Sequence, residues 1–260
     1  VTKRFRGVVE YDGSAFHGSQ LQAGGQPTVQ GALEAAIKQV TGEDARVLLA
    51  SRTDSGVHAE GQVMAFTLEG EKNPGVLLKS LNGVMSSAVS VQLLDPAPLG
   101  FNPRHDAIRK IYRYKIKHGR PRSPLFYGRV LDLECTINGK LMRNAVACVA
   151  GNHEFRLFAT LDKTEEKKTR LDIDRAWLVE HDHLLSFFLE GRGFLRKMVR
   201  RLVGSIIEVG CGKLSLADLQ EALEGNEPSG FRHLTAAAEG LTLVRIWYPG
   251  GWPQEKEQNR

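Results

Sequence analysis

The segment VLLASRTDSGVHAEGQVMAF, residues 47–66, decides how this chain is read. Val47-Leu48-Leu49-Ala50 closes one apolar run, and Gln62-Val63-Met64-Ala65-Phe66 opens a second, strand-like one. Between them stands Arg52-Thr53-Asp54-Ser55-Gly56-Val57-His58-Ala59, a polar loop joining two expected strands. Loops held on a rigid scaffold are where binding and catalytic groups concentrate. This one carries a single carboxylate, Asp54, with an arginine two residues before it and a turn-permitting glycine two residues after it. Asp-Ser-Gly is also ordinary turn chemistry. The eight residues alone leave a structural and a functional reading open.

Working outward, residues 4–11 predict a first strand that stops at Asp12-Gly13-Ser14, a turn signal. A glycine-rich loop carrying Phe16, His17 and Gln20 leads to Thr28, an N-cap for a helix to about Val40. Val29, Leu33, Ile37 and Val40 share one face of that helix. The loop segment then lies between strands at 46–50 and 62–68. A short helix over 75–81 and a strand over 89–94 follow, ending at the proline-rich break Asp95-Pro96-Ala97-Pro98. Gly100-Phe101-Asn102-Pro103-Arg104-His105-Asp106 reads as an exposed connector, and the domain boundary is placed there. The expected domains are 1–105, carrying the Asp54 loop, and 106–260.

The second domain opens on AIRKIYRYKIK, residues 107–117. Ile108, Tyr112, Tyr114 and Ile116 alternate with Arg109, Arg113, Lys115 and Lys117, a strand with a basic face. Lys110 and Ile111 break the alternation. A helix is expected over 139–150, a charged loop over 161–170, and strands over 171–179 and 183–189. Gly191-Arg192-Gly193 is expected to open a helix running from Phe194 to about Val209, and Gly210-Cys211-Gly212 to stop it. A shorter helix covers 216–223, and 241–247 is the last strand. Strands interleaved with helices in both halves fit a mixed α+β layer.

Composition narrows the class. The chain has 260 residues, 42% hydrophobic and 25% charged, enough for a sizeable core in one or two domains. No run approaches the roughly 18 apolar residues of a membrane span, and the basic N-terminus has no apolar signal core behind it. No membrane association is therefore expected. Three scattered cysteines, Cys135, Cys148 and Cys211, argue against a disulfide framework and a zinc site and suit a reducing cytoplasm. A net charge of +5 permits a polyanionic partner without demanding one. No phosphate loop and no dinucleotide glycine fingerprint are present. His181-Asp182-His183 has no third ligand at metal-site spacing and reads as a surface turn. A hydrolase built on Ser51 or Ser55 with His58 finds no oxyanion-loop pattern.

Two further stretches carry chemistry. On the expected helix from Phe194, Leu195, Met198, Val199, Leu202 and Ile206 share one face, and Arg196, Lys197, Arg200 and Arg201 gather on the other. That face is either a solvated surface or a phosphate receiver, the second favoured by the glycine-flanked helix N-terminus. Tyr112 and Tyr114, two apart on a strand, face one side. They are either core residues or a stacking surface for a nucleobase, an interaction worth on the order of 1–3 kcal/mol per base.

Together these stretches resemble the tRNA pseudouridine synthase A family, in order along nearly the whole chain. The similarity runs through Tyr11-Asp12-Gly13-Ser14, Gly18, Gln20 and Thr28-Val29-Gln30, then the Arg52 to Ala59 motif and Gly61-Gln62-Val63. It continues through Phe101, Arg104, Tyr112-Arg113-Tyr114, Gly151, His153, Phe155 and Phe158. Phe194, Met198-Val199-Arg200, Val203-Gly204, Glu208-Val209-Gly210 and Glu239-Gly240-Leu241 complete it. The chain departs from the family at Ser19, where tryptophan is usual, at Ser55, where alanine is commoner, and at Asn102-Pro103. These departures bear on RNA docking rather than on the reaction.

The resemblance implies two ferredoxin-like (RRM-like) α+β halves forming a continuous mixed sheet, with helices on one side and a basic active-site cleft. It implies a cytoplasmic homodimer isomerising uridine to pseudouridine in tRNA, around positions 38, 39 and 40 of the anticodon stem-loop. The reaction exchanges an N–C glycosidic bond for a C–C bond, with no redox change and no group donor, so neither cofactor nor metal is expected. By resemblance Asp54 is the essential carboxylate, attacking the sugar C1′ or abstracting its 2′ proton. Such a carboxylate acts ionised, and Arg200 is the candidate ion-pair partner. Arg52 would extrude the base, which must leave its stack to be reached, and Tyr112 would stack on it. Phe101, Asn102, Arg104, His105, Lys163, Arg196, Lys197 and Arg201 are the expected tRNA contacts. The competing reading is a non-catalytic RNA-binding module with ferredoxin-like sheets, which leaves the pairing of Arg52 with Asp54 in a glycine-bearing loop unexplained.

Overall fold

The computed structural model describes residues 1–119, 121–134, 136–161 and 168–253. Among these, ten strands and five α-helices interleave in a mixed α+β fold, as the alternation of periodicities predicts. The chain divides into two compact units, residues 1–110 with 243–260, and residues 111–242. The last segment therefore returns to the first unit, where sequence reading had assigned it to the second. A boundary read from local composition cannot register a strand that comes back from the far end of the chain.

In the first unit β1 (Thr2–Tyr11) is central. It pairs antiparallel with β3 (His58–Glu69) and with β4 (Val89–Ala97), and the short β2 (Leu48–Leu49) pairs antiparallel with β3. Helix α1 (Val29–Thr41) lies between β1 and β2, and α2 (Pro74–Val84) between β3 and β4. The order β4-β1-β3-β2 with this β-α-β-β-α-β succession is the ferredoxin-like arrangement. Alternation in β1 sends Phe5, Val9 and Tyr11 inward, and Phe5 stacks on its register partner Phe66 at 5.5 Å. Thr28 caps α1 by accepting the Gly31 N–H, as its residue type predicts.

The limits of several elements differ from expectation. The strand expected over 46–50 pairs only at Leu48–Leu49. β4 runs past the expected proline break to Ala97, with Pro96 opposite Phe5. Proline lacks an N–H and is tolerated where no ladder donor is required of it. Helix α2 continues to Val84, three residues beyond expectation.

The second unit repeats the succession. β5 (Arg109–His118) is followed by α3 (Gly139–Ala147), β8 (Arg170–His181), β9 (Leu184–Gly191) and α4 (Met198–Gly210). The order is β5-β9-β8-β7, with β7 (Gly151–Glu154) antiparallel to β8 and β6 (Leu131–Leu133) parallel to β5. Helix α5 (Leu216–Leu223) and β10 (Leu241–Trp247) stand where the sequence places them, and the unit boundary falls within β10. Met198, Val199, Leu202, Val203 and Ile206 bury the inner face of α4.

The start of α4 is a correction. Phe194 to Arg196 are not helical, and the helix begins at Met198. Lys197 takes a left-handed conformation (φ 63°) and supplies no side-chain cap. A non-glycine residue there turns the chain immediately before the helix. Gly191-Arg192-Gly193 therefore does not open a helix; Gly191 ends β9. Arg196 and Lys197 lie in this turn, and only Arg200 and Arg201 of the four basic residues are on α4.

Candidate active site

The chain from Ala50 to Val57 is held by side chains binding its main chain as well as by main-chain bonds. Buried Gln62 accepts the Ser51 N–H at 3.0 Å and returns its own amide to the Ser51 carbonyl at 2.7 Å. Two residues on, Ser19 repeats the pattern. Its Oγ accepts the Thr53 N–H at 2.8 Å, and its N–H donates to the Thr53 carbonyl at 3.1 Å. The Tyr11 hydroxyl shares a 2.8 Å hydrogen bond with Thr53 Oγ1 and accepts from Gln62 Nε2 at 3.3 Å. Gln62 and Ser19 are wholly buried, so these bonds face no competition from water.

Beyond Asp54 the loop turns. The Val57 N–H donates to the Asp54 carbonyl at 3.2 Å, and Gly56 sits at φ 81°, where glycine carries no steric penalty. The turn leans on the loop after β1. The Gly56 N–H reaches the Gly13 carbonyl, and a Cβ on Gly13 would lie 2.0 Å from the Val57 oxygen. Glycine is required by that approach. The Gly13 N–H donates to His58 Nδ1 at 3.1 Å, so this nitrogen presents a lone pair. Asp12 Oδ1, 3.3 Å from it, is then a neighbour and accepts from Ser14 instead. The Ser55 hydroxyl donates to the Phe16 carbonyl at 3.2 Å rather than to His58, which removes Ser55 as the serine of a Ser–His pair. What remains is a half-buried carboxylate, Asp54, and an exposed guanidinium, Arg52, on a fixed loop.

In the second unit Tyr112 and Tyr114 both face inward from β5. The Tyr112 ring is 6% exposed and meets Phe194 edge-on at 5.1 Å. The Tyr114 hydroxyl donates to the Ala237 carbonyl at 2.8 Å, and Gly240 lets the chain pass its ring, where a Cβ would stand 2.6 Å away. Burial pushes the Tyr114 phenol well above its usual range against the pull of Arg200. Arg200 is half-buried, with Nε donating to the Ala236 carbonyl at 2.8 Å and its own carbonyl accepting the Ala236 N–H. Tyr114 is thus a structural tyrosine, whereas the Tyr112 ring edge and Arg200 are firmly oriented groups.

The expected RNA contacts separate into distinct environments. Phe101 is 8% exposed and packs with Tyr248 and Trp252, with the Arg6 guanidinium over its ring. It anchors the connector from within the core instead of lying on the surface. Asn102 caps the turn through the Arg104 and His105 N–H groups, leaving Arg104 and His105 exposed. Arg196 is exposed; Arg201 is half-buried and donates to the Ala159 carbonyl at 2.6 Å. Lys163 lies outside the described residues. Among the described residues no three His, Cys, Asp or Glu side chains are grouped to hold a metal, and no helix is long and apolar enough to cross a membrane. His181 and Asp182 form an exposed turn pair at 3.5 Å.

Sequence reading missed Ser19, Gln62 and Lys110. Ser19 was visible as a departure from the family, and Lys110 as a break in the alternation of β5.

The sequence profile of the tRNA pseudouridine synthase family matches residues 8–122 and 145–249. The chain belongs to that family. A tRNA pseudouridine synthase A of Methylobacterium radiotolerans is 36% identical over 95% of this chain and 99% of its own length. Synthases of the same name from a Geobacillus species and from Neisseria gonorrhoeae are 34% and 33% identical, over 95% and 96% of this chain and 99% and 94% of their own. The matched blocks of the synthase family include the Asp54 loop, Tyr112 and Arg200.

Proposed function

We propose that this chain isomerises uridine to pseudouridine in the anticodon stem-loop of tRNA, around positions 38, 39 and 40, with Asp54 as its catalytic carboxylate. Family membership makes it an isomerase of tRNA uridine. The carrying observation for Asp54 is that the family motif lies on a loop whose backbone is fixed by buried side chains while its carboxylate is left half-exposed. Holding a reacting group in place before substrate arrives is a large part of what an enzyme contributes.

In the reaction the bond from uracil N1 to C1′ breaks, C1′ is joined to C5, and the proton leaves C5 while N1 gains one. Asp54 attacks C1′ or removes the 2′ proton. Arg52 occupies the place vacated by the flipped base. Tyr112 stacks on the uracil and assists removal of the C5 proton. Arg104, His105 and Arg196 grip the phosphates, with Lys163 and Lys197 as further contacts. The working form is a cytoplasmic homodimer.

Mapping pseudouridines in unmodified tRNA treated with the protein tests this reading. New pseudouridine confined to positions 38–40 is expected. tRNA binding with no new pseudouridine would leave an RNA-binding module. Tyr112→Phe should retain tRNA binding and lose turnover; unchanged turnover would remove the hydroxyl from the mechanism.

A further inference from the structure

Lys110 occupies a position where β5 calls for a hydrophobic residue. The inward series of that strand is Lys110, Tyr112, Tyr114, Ile116 and His118, all buried, while Ile108, just before it, is 48% exposed. The irregularity in the sequence is thus a lysine turned into the protein, 8% exposed. Burying an ammonium is costly unless it is hydrogen-bonded. Here the bond is to one acceptor of particular interest: Lys110 Nζ donates to the Ala50 carbonyl at 2.9 Å.

Ala50 is the last residue before the Asp54 loop. It is 1% exposed, and its own N–H donates to the Val63 carbonyl at 2.9 Å. With Gln62 on Ser51 and Ser19 on Thr53, Lys110 completes a row of side chains holding the main chain just ahead of Asp54. Gln62 and Ser19 come from β3 and from the loop after β1, whereas Lys110 comes from the strand that carries Tyr112 two residues on. Burial first, and then Arg104, lower its pKa to about 8, so the charged donor predominates at neutral pH.

We propose that Lys110 is a positioning residue, its ammonium fixing the entrance of the Asp54 loop and thereby the stance of the carboxylate. This rests on the reading of Asp54 as the catalytic group. Its distinctive consequence is local: loss of the ammonium loosens residues 51–57 and slows turnover without weakening tRNA capture.

The test compares wild type, Lys110→Met and Lys110→Arg by amide hydrogen exchange without RNA and by steady-state tritium release from tRNA. Lys110→Met should accelerate exchange selectively in residues 51–57 by about tenfold or more. It should lower kcat by roughly 10- to 100-fold with KM within about twofold. Lys110→Arg, which keeps a donor, should recover part of both. Unchanged exchange in residues 51–57, or kcat and KM altered in step with a global loss of stability, would overturn the proposal. Should Lys110→Met not fold, the wild-type protein decides. Lysine-selective nitrogen NMR should show Lys110 ammonium protons protected from exchange, and unprotected protons would overturn the assignment. If wild type releases no tritium, the function reading fails, while the exchange comparison still decides the role of Lys110.

Discussion

The loop from Ala50 to Val57 and the turn from Gly191 to Lys197 were both expected to present charge to RNA, yet they are built on different principles. In the first, each main-chain anchor has a buried partner: Lys110 at Ala50, Gln62 at Ser51 and Ser19 at Thr53. In the second, the chain reaches its helix through a left-handed Lys197 with no capping side chain. A loop fixed by long-range side-chain bonds can hold a reacting carboxylate to a narrow position. A basic turn suits phosphate, which tolerates approximate placement because its attraction is long-ranged.

Substitutions can break or sharpen that contrast. The largest expected effect is at Gly13, where Ala would drive a Cβ into the Val57 backbone. Gly13→Ala should destabilise by about 3 kcal/mol in chemical denaturation, since backbone cannot yield as a side chain can. Ser19→Ala comes next. It leaves the Thr53 N–H buried without its acceptor, and about 1–3 kcal/mol should be lost. Wild-type stability in that variant would show that the clamp is dispensable.

The two arginines of the basic region should behave oppositely. Arg201→Gln removes a guanidinium bond to Ala159 and should cost on the order of 1 kcal/mol of stability, with little change in the salt dependence of tRNA binding. Arg196→Gln should reduce the slope of log K against log salt by about one. Equal slopes for the two variants would dissolve the distinction drawn between them.

A pH dependence is also expected at Lys110, whose pKa is lowered by burial and by Arg104 from 10.5 to about 8. Between those values the unfolded chain holds a proton that the folded chain has released. Stability from this group therefore rises as pH rises from about 8 toward 10.5, and below 8 it no longer varies. The difference in stability between wild type and Lys110→Met, followed by denaturation across this window, should show that rise.

Much of this was legible in the sequence. Thr28, the apolar spacing of Val29, Leu33 and Ile37, and the turn at Gly56 specify their elements by local chemistry, and they stand where expected. The start of α4 was not legible, because no Ser, Thr, Asp or Asn precedes it to mark a cap, and Gly191-Arg192-Gly193 with the apolar spacing extended the helix back to Phe194. Phe101 was placed on the surface because its partners Tyr248 and Trp252 lie more than a hundred residues away in sequence. Ser19 and Gln62 were invisible as clamps because a side chain that binds backbone in another loop leaves no periodic trace. Lys110 did leave one, as a single defect in an alternating strand.

The central claim is that the fixed loop exists to present Asp54. Tritium release from tRNA labelled at uridine C5, measured for wild type and Asp54→Ala at matched tRNA occupancy, tests it most directly. The account predicts undiminished tRNA binding and no release above background for Asp54→Ala. Release at the wild-type rate would contradict it.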